Sequence, residues 1–189
     1  MTTGQVSALT TAQVQALKTV ALQGLTTAGV VALTTQQAAA LTPIQLGALS
    51  INQLHALESA DFAALATTGI SVLTSAQISS LTTAAIAALT TAQVSALGST
   101  QVLGLTTAQI AAVEVVDFRA LSTTGIAALT STQLSALTDA QVQTALTTNQ
   151  VQALTATAIS GLSATNVERL SASQVAVLTS TQVQGFTTR

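Results

Sequence analysis

Two acidic stretches carry the residues whose types and spacing are best suited to chemistry. Glu58 and Asp61 stand three residues apart, and Glu114 and Asp117 repeat that spacing further along the chain. Hard cations such as Ca²⁺ prefer clustered carboxylate oxygens, so each pair is a weak candidate for a cation or partner site. Two carboxylates are few for such a site. The stretches therefore predict metal binding only weakly. Isothermal titration calorimetry with calcium tests this prediction.

A structural explanation of the same stretches is favoured. Phe62 and Phe118 directly follow the two aspartates. Acidic groups near the start of a helix interact favourably with its dipole, and a phenylalanine can fill a wider part of a core. We therefore expect the carboxylates to serve helix starts and the two aromatic rings to be buried.

Other groups with catalytic potential are scarce. His55 is the only histidine, and we interpret it as a solvated side chain without a partner. No Gly-x-Ser-x-Gly motif accompanies it, so a serine nucleophile is not indicated. The sequence predicts no enzyme activity and no cofactor, because even a pair of haem ligands is lacking. Four further charges are expected to be isolated on the surface: Lys18, Arg119, Asp139 and Arg169.

Composition excludes several classes of partner. Only 5% of the 189 residues are charged and the net charge is −2, so neither nucleic acid nor an anionic membrane would be attracted. No run of about 18 apolar residues occurs, so no membrane span is predicted in this segment. The chain has no cysteine, which is compatible with export, and its first residues already match the repeat, so we expect no signal peptide within this segment.

Leucine recurs every eight residues, and this octad organises the whole chain. Lettered a to h from its leucine, the unit reads Leu-Thr-Thr-Ala-Gln-Val-x-Ala, as in residues 9–16. Val113 replaces the leucine once, and one inserted residue near Thr144 shifts the later register to Leu146. The repeat predicts one solenoid over residues 1–189. Both ends stop in mid-pattern, so we expect a fragment of a longer array.

Each octad contains the signals that start a helix. The threonine at position b and the glutamine at position e form a capping box, as in Thr10 and Gln13. The single proline, Pro43, stands at position c, the first helical residue, where a missing amide costs nothing. We therefore predict an all-α solenoid with one helix of about six residues per octad. A β-solenoid with threonine ladders is the alternative.

The pattern also predicts which positions are buried. Leucine at a and valine or isoleucine at f should fill the core, whereas the alanines at d and h should allow helices to approach closely. The variable position g should face solvent. The pattern does not set the number of octads per superhelical turn; with three, the rod would be about 70 Å long.

The string from Ala8 to Leu17 resembles the Ala-Leu-Thr-Thr-x-Gln-Val/Ile octad arrays of very large bacterial proteins, often labelled adhesins or haem-utilisation proteins. The resemblance covers essentially the whole chain. It implies an extracellular or cell-surface repeat region and does not identify an activity. The sequence leaves end-to-end self-association open.

Two functions follow as expectations. The first is a structural spacer that extends a surface protein or presents an adhesive module. The alternative is a binding surface, either an adhesin or an ice-binding face, in which stacked threonines form rows. The position-b hydroxyl is engaged in capping, so position c would have to supply such a row.

Overall fold

The computed structural model describes residues 1–186, which form short helices joined by tight corners. Each helix has four to six residues, and one lies in every octad. Residues 1–186 contain no strand, which confirms the all-α prediction and leaves the β-solenoid alternative without support. The helical segments are α1 (Thr3–Ser7), α2 (Thr11–Ala16), α3 (Thr19–Gln23), α4 (Thr27–Val31), α5 (Thr35–Ala39), α6 (Pro43–Ala48), α7 (Ile51–Ala56), α8 (Ser59–Ala64), α9 (Thr67–Ser71), α10 (Ser75–Ser80), α11 (Thr83–Ala87), α12 (Thr91–Ser95), α13 (Ser99–Gly104), α14 (Thr107–Ala112), α15 (Val115–Arg119), α16 (Thr123–Ala127), α17 (Ser131–Ser135), a π-helix (Gln141–Ala145), α18 (Thr148–Ala153), α19 (Ala156–Ile159), α20 (Ala164–Glu168), α21 (Ala172–Ala176) and α22 (Ser180–Gly185).

The predicted capping box starts most of these helices. In α2 the Gln13 N–H donates to Thr10 Oγ1 at 3.2 Å, and the Thr10 N–H donates to Gln13 Oε1 at 2.8 Å. The helix ends where Leu17 adopts an extended conformation, with φ −62° and ψ 131°. The next N-cap residue, Lys18, follows at once, so the chain turns a corner at this leucine.

Three octads complete one superhelical turn, which we call a layer. Each helical segment contacts the segment three places further on, as α5 contacts α8 and α10 contacts α13. The stacked helices therefore form three faces along the rod. The first face contains α1, α4, α7, α10, α13, α16, α18 and α21; the second contains α2, α5, α8, α11, α14, α17, α19 and α22; the third contains α3, α6, α9, α12, α15, the π-helix and α20.

One continuous apolar core runs between the three faces. It consists mainly of the side chains at positions a and f, as predicted, and Phe62 and Phe118 are buried in it. Each buried leucine, valine or isoleucine contributes roughly 1.5 to 3 kcal/mol before chain entropy is subtracted. Among the helices of residues 1–186, none has the length and the apolar character that a membrane span requires.

The prediction for the alanines at position d was wrong. Ala76 and Ala108 point to solvent, as does position d throughout the described chain, and only position h is half-buried between layers. A helix of about one and a half turns presents one side to the core, and positions a, e and f occupy that side. Position d is therefore part of the outer surface.

Close approach of the layers occurs at position h instead. A Cβ atom added to Gly104 would lie 2.6 Å from the Cα atom of Ser75 in the layer below. Only glycine fits there without moving the backbone, because Cβ atoms do not approach backbone atoms so closely.

Residues 137–145 form a unit of nine residues, and the extra residue is accommodated within its helix. The Leu146 N–H donates to the Gln141 carbonyl at 3.0 Å, a spacing of five residues that makes this turn a π-helix. Leu146 is buried like the other leucines. The widened turn thus keeps the following octads in register with the core.

Candidate functional site

The glutamine at position e is the most extensively bonded polar side chain of the repeat. In α14 the Oε1 atom of Gln109 accepts from the Thr106 N–H at 2.8 Å, which is the capping contact. Its Nε2 group donates to the Leu81 carbonyl at 2.7 Å and to the Ile78 carbonyl at 2.9 Å. Those carbonyls lie at the corner between α10 and α11, one layer below. One side-chain amide therefore starts its own helix and holds the preceding layer.

The same arrangement recurs along the rod. Twelve glutamines are buried, and each Nε2 group donates to the position-a carbonyl of the layer below at 2.6 to 3.0 Å. We call them the glutamine clamps: Gln37, Gln45, Gln53, Gln77, Gln93, Gln101, Gln109, Gln133, Gln141, Gln150, Gln174 and Gln182. Asn166 makes a similar contact to the Leu137 carbonyl at 3.1 Å.

The clamps satisfy groups that the short helices leave open. The last four carbonyls of any helix lack partners within it, and in helices of four to six residues these are most of the carbonyls. No buried side-chain nitrogen or oxygen in residues 1–186 lacks a hydrogen-bond partner. Sequence reasoning found only the capping half of the glutamine's role. The signal it missed is that a glutamine, unlike a glutamate, retains a donor group after capping.

The two acidic stretches interrupt the clamps. Asp61 and Asp117 occupy position e and are buried, but a carboxylate cannot donate to a carbonyl. Asp61 Oδ2 accepts from the Glu58 N–H at 3.2 Å, which preserves the capping half of the contact. Asp117 Oδ1 instead accepts from the Thr91 hydroxyl in the layer below at 2.5 Å. Each aspartate therefore already has a protein partner.

The structure does not bring the two acidic pairs together. Glu58 and Asp61 belong to the second face, whereas Glu114 and Asp117 belong to the third. Within residues 1–186 no group of three or more His, Cys, Asp or Glu side chains could hold a metal ion. Each site would have to bind a cation through two carboxylates, one of which is buried and already accepts a hydrogen bond. Metal binding at these pairs stays a prediction, and the geometry adds nothing to it.

Three side chains expected to be unpaired have partners. His55 is exposed, and its Nδ1–H donates to the Ser80 carbonyl of the next layer at 2.9 Å. Asp139 and Arg169, expected to be isolated, form a salt bridge of 3.3 Å. The sequence could not show this pair, because the two residues are 30 positions apart and come close only when the layers of the rod stack.

The outer faces differ in charge. On the first face of the described chain no Asp, Glu, Lys or Arg occurs, and on the second only Glu58 and Asp61 do. The remaining charges of residues 1–186 all belong to the third face: Lys18, Glu114, Asp117, Arg119, Asp139, Glu168 and Arg169. The third face is thus chemically distinct from the other two.

The comparisons with known proteins agree with the repeat pattern. The family model described as the ALTTAQ repeat matches residues 54–91, 86–115 and 110–144 in three overlapping segments. This supports a repeat array of the ALTTAQ type in that part of the chain. No curated protein and no solved structure matches the chain.

The clamps predict that Gln109→Glu destabilises the rod strongly. The glutamate keeps the oxygen that caps α14, but it loses the Nε2 donor and turns a buried charge toward the Leu81 carbonyl. We expect a loss of at least about 3 kcal/mol in the free energy of unfolding, measured by urea denaturation.

Gln13→Glu is the matched control. Gln13 makes the same capping contact, but it is exposed and donates to no other layer of the described chain. This variant should change stability by no more than about 0.5 kcal/mol. Equal losses in the two variants would show that capping alone explains the glutamine.

Proposed function

We propose that this chain is a structural spacer in an extracellular or cell-surface bacterial protein, where it extends or presents an adhesive module. The observation that supports the proposal most is the repetition of the clamp and the core in successive layers. Every layer is stabilised by the next, so length increases with the number of octads while the cross-section stays constant.

The chemistry of the surface supports the same proposal. The outer positions c, d and g carry mainly threonine, serine and alanine, and in residues 1–186 no group of three or more His, Cys, Asp or Glu side chains could hold a metal ion. A spacer needs a stiff scaffold and a surface that does not aggregate, rather than a pocket. The resemblance to octad arrays of large bacterial surface proteins, together with the ALTTAQ match, suggests the location.

Small-angle X-ray scattering, extrapolated to infinite dilution, tests the spacer function. With about eight layers spaced 8 to 10 Å apart, the rod should be about 70 Å long, with a radius of gyration of about 20 Å or more. A compact globule of this chain length would have about 16 Å. The compact value would overturn the proposal.

A shortened chain provides the matched control. Deleting residues 81–104 removes one complete layer and keeps the register, because Ser80 then precedes Leu105. The maximum dimension should fall by about 8 to 10 Å while the cross-section stays the same. A change in the cross-section would contradict a rod built by addition of layers.

A hydroxyl row on the second face favours a second candidate, an ice-binding or adhesive surface. Position c of successive layers carries Thr11, Thr35, Ser59, Thr83, Thr107 and Ser131, and no hydrogen bond joins these hydroxyls to other described residues. The hydroxyls at position b cap helices, as expected, whereas this row is available to an external lattice of water or ligand.

Thermal hysteresis tests the ice-binding form of this candidate. The chain should depress the freezing point below the melting point, and Thr107→Lys should abolish the effect by placing a charge in the row. Thr123→Lys changes the same position on the first face and should leave the hysteresis intact. Absence of hysteresis at high protein concentration would eliminate the candidate.

A further inference from the structure

The three most exposed aliphatic side chains of the described chain all lie on the third face. Val20 is 76% exposed, Ile44 78% and Val116 61%. Each occupies position d, and no other position d in residues 1–186 carries valine, isoleucine or leucine. Exposed aliphatic side chains mark a contact surface when they lie together on one part of a protein and are not scattered singly.

These side chains form a row along the rod. Position d of the third face reads Val20, Ile44, Thr68, Ala92 and Val116 in five successive layers. We call this the third-face row. Thr68 lies at its centre, a valine lies at each end, and the bulky Ile44 and the small Ala92 are at equal distances from the centre. When the row is reversed, the bulky Ile44 lies opposite the small Ala92 and each valine lies opposite a valine.

Opposite charges flank the two ends of the row. Lys18 and Glu114 occupy position b in the first and last of these layers, and both are exposed. Neither forms a salt bridge within residues 1–186, where the single ion pair joins Asp139 and Arg169. Oppositely charged groups at matching positions are complementary when a face meets a reversed copy of itself.

Lys18 is also an unfavourable choice for its own helix. It replaces the threonine that caps most octads, and its side chain makes no capping hydrogen bond in α3. A cationic group at a helix start opposes the helix dipole, and loss of the cap removes further stability. Residues that break a local rule in this way often serve a function outside the helix.

We propose that the third face binds a second copy of this chain in an antiparallel homodimer. A two-fold axis through Thr68, perpendicular to the rod, reverses the order of layers and keeps each position letter opposite itself. Lys18 then faces Glu114 of the second copy twice, Val20 faces Val116, and Ile44 faces Ala92. Such a closed, self-complementary contact is the usual form of a homodimer.

The same operation creates no repulsion between like charges. Arg119 lies at position g in the layer of Glu114, and it faces the neutral Gln23 of the second copy. Asp139 and Glu168 lie in later layers of the third face than the five that form the row. The alternative of two parallel copies would leave Lys18 without an anionic partner and would place Glu114 near Arg119 of the other copy. The antiparallel arrangement pairs both flanking charges.

Analytical ultracentrifugation of the full chain tests the proposal. The native chain should sediment as a dimer, and Ile44→Lys should sediment as a monomer because it places a charge in the third-face row. Ala84→Lys makes the same change at position d of the second face and should stay dimeric. Far-UV circular dichroism must show unchanged helix content in both variants. A monomeric native chain at the highest attainable concentration would overturn the proposal.

Charge-reversal variants show whether the two copies of the dimer are antiparallel or parallel. Lys18→Glu and Glu114→Lys should each weaken the dimer about tenfold or more, and the double variant should restore it. If Arg119→Glu weakens the dimer and Lys18→Glu does not, the copies are parallel and the antiparallel proposal is wrong. A double variant as weak as either single variant would also overturn it.

Discussion

A helix of five or six residues cannot satisfy its own backbone, and this constraint governs the whole structure. Its first amides and last carbonyls make up most of its backbone polar groups. Nearly every one of these groups therefore needs a hydrogen-bond partner outside the helix. Threonine hydroxyls supply acceptors at one end, and the glutamine clamps supply donors at the other. Because those donors come from the next layer, no helix is complete alone. Stacking is therefore a requirement of the backbone as well as of the apolar core.

The sequence predicted the parts of this structure that are local. The capping box, the proline at the first helical position and the burial of leucine and valine all depend on residues within one octad. Contacts between layers depend on the number of octads per turn, which no local pattern sets. For that reason the Nε2 bonds of the clamps and the Asp139–Arg169 pair could not be predicted, because each of them joins residues more than 20 positions apart.

The separation of the repeat into buried and outer positions affects what the chain can bind. Side chains at positions a and f fill the core, and those at position e bond to the backbone. The outer positions are therefore free to vary without loss of the fold. The sequence uses this freedom unevenly, with a hydroxyl row on the second face and with the three most exposed aliphatic side chains and most of the charged groups of residues 1–186 on the third. Asp61 and Asp117 lose one clamp each, which the rest of the stack can tolerate. Asp61 retains a local partner in Glu58, whereas Asp117 bonds to Thr91 of the layer below. Any binding by this chain must therefore depend on its faces, since its interior is occupied by structural contacts.

Hydrogen exchange of glutamine side-chain amides, followed by NMR, measures the clamps directly. If they hold the layers together, the Nε2 protons of buried glutamines such as Gln93 and Gln109 should be protected and should exchange only when the rod unfolds. Gln13 is exposed and caps a helix without reaching another layer, so its Nε2 protons should exchange at the rate of a free amide. Exchange of the buried amides as fast as that of Gln13, under conditions where the helices persist, would contradict the account.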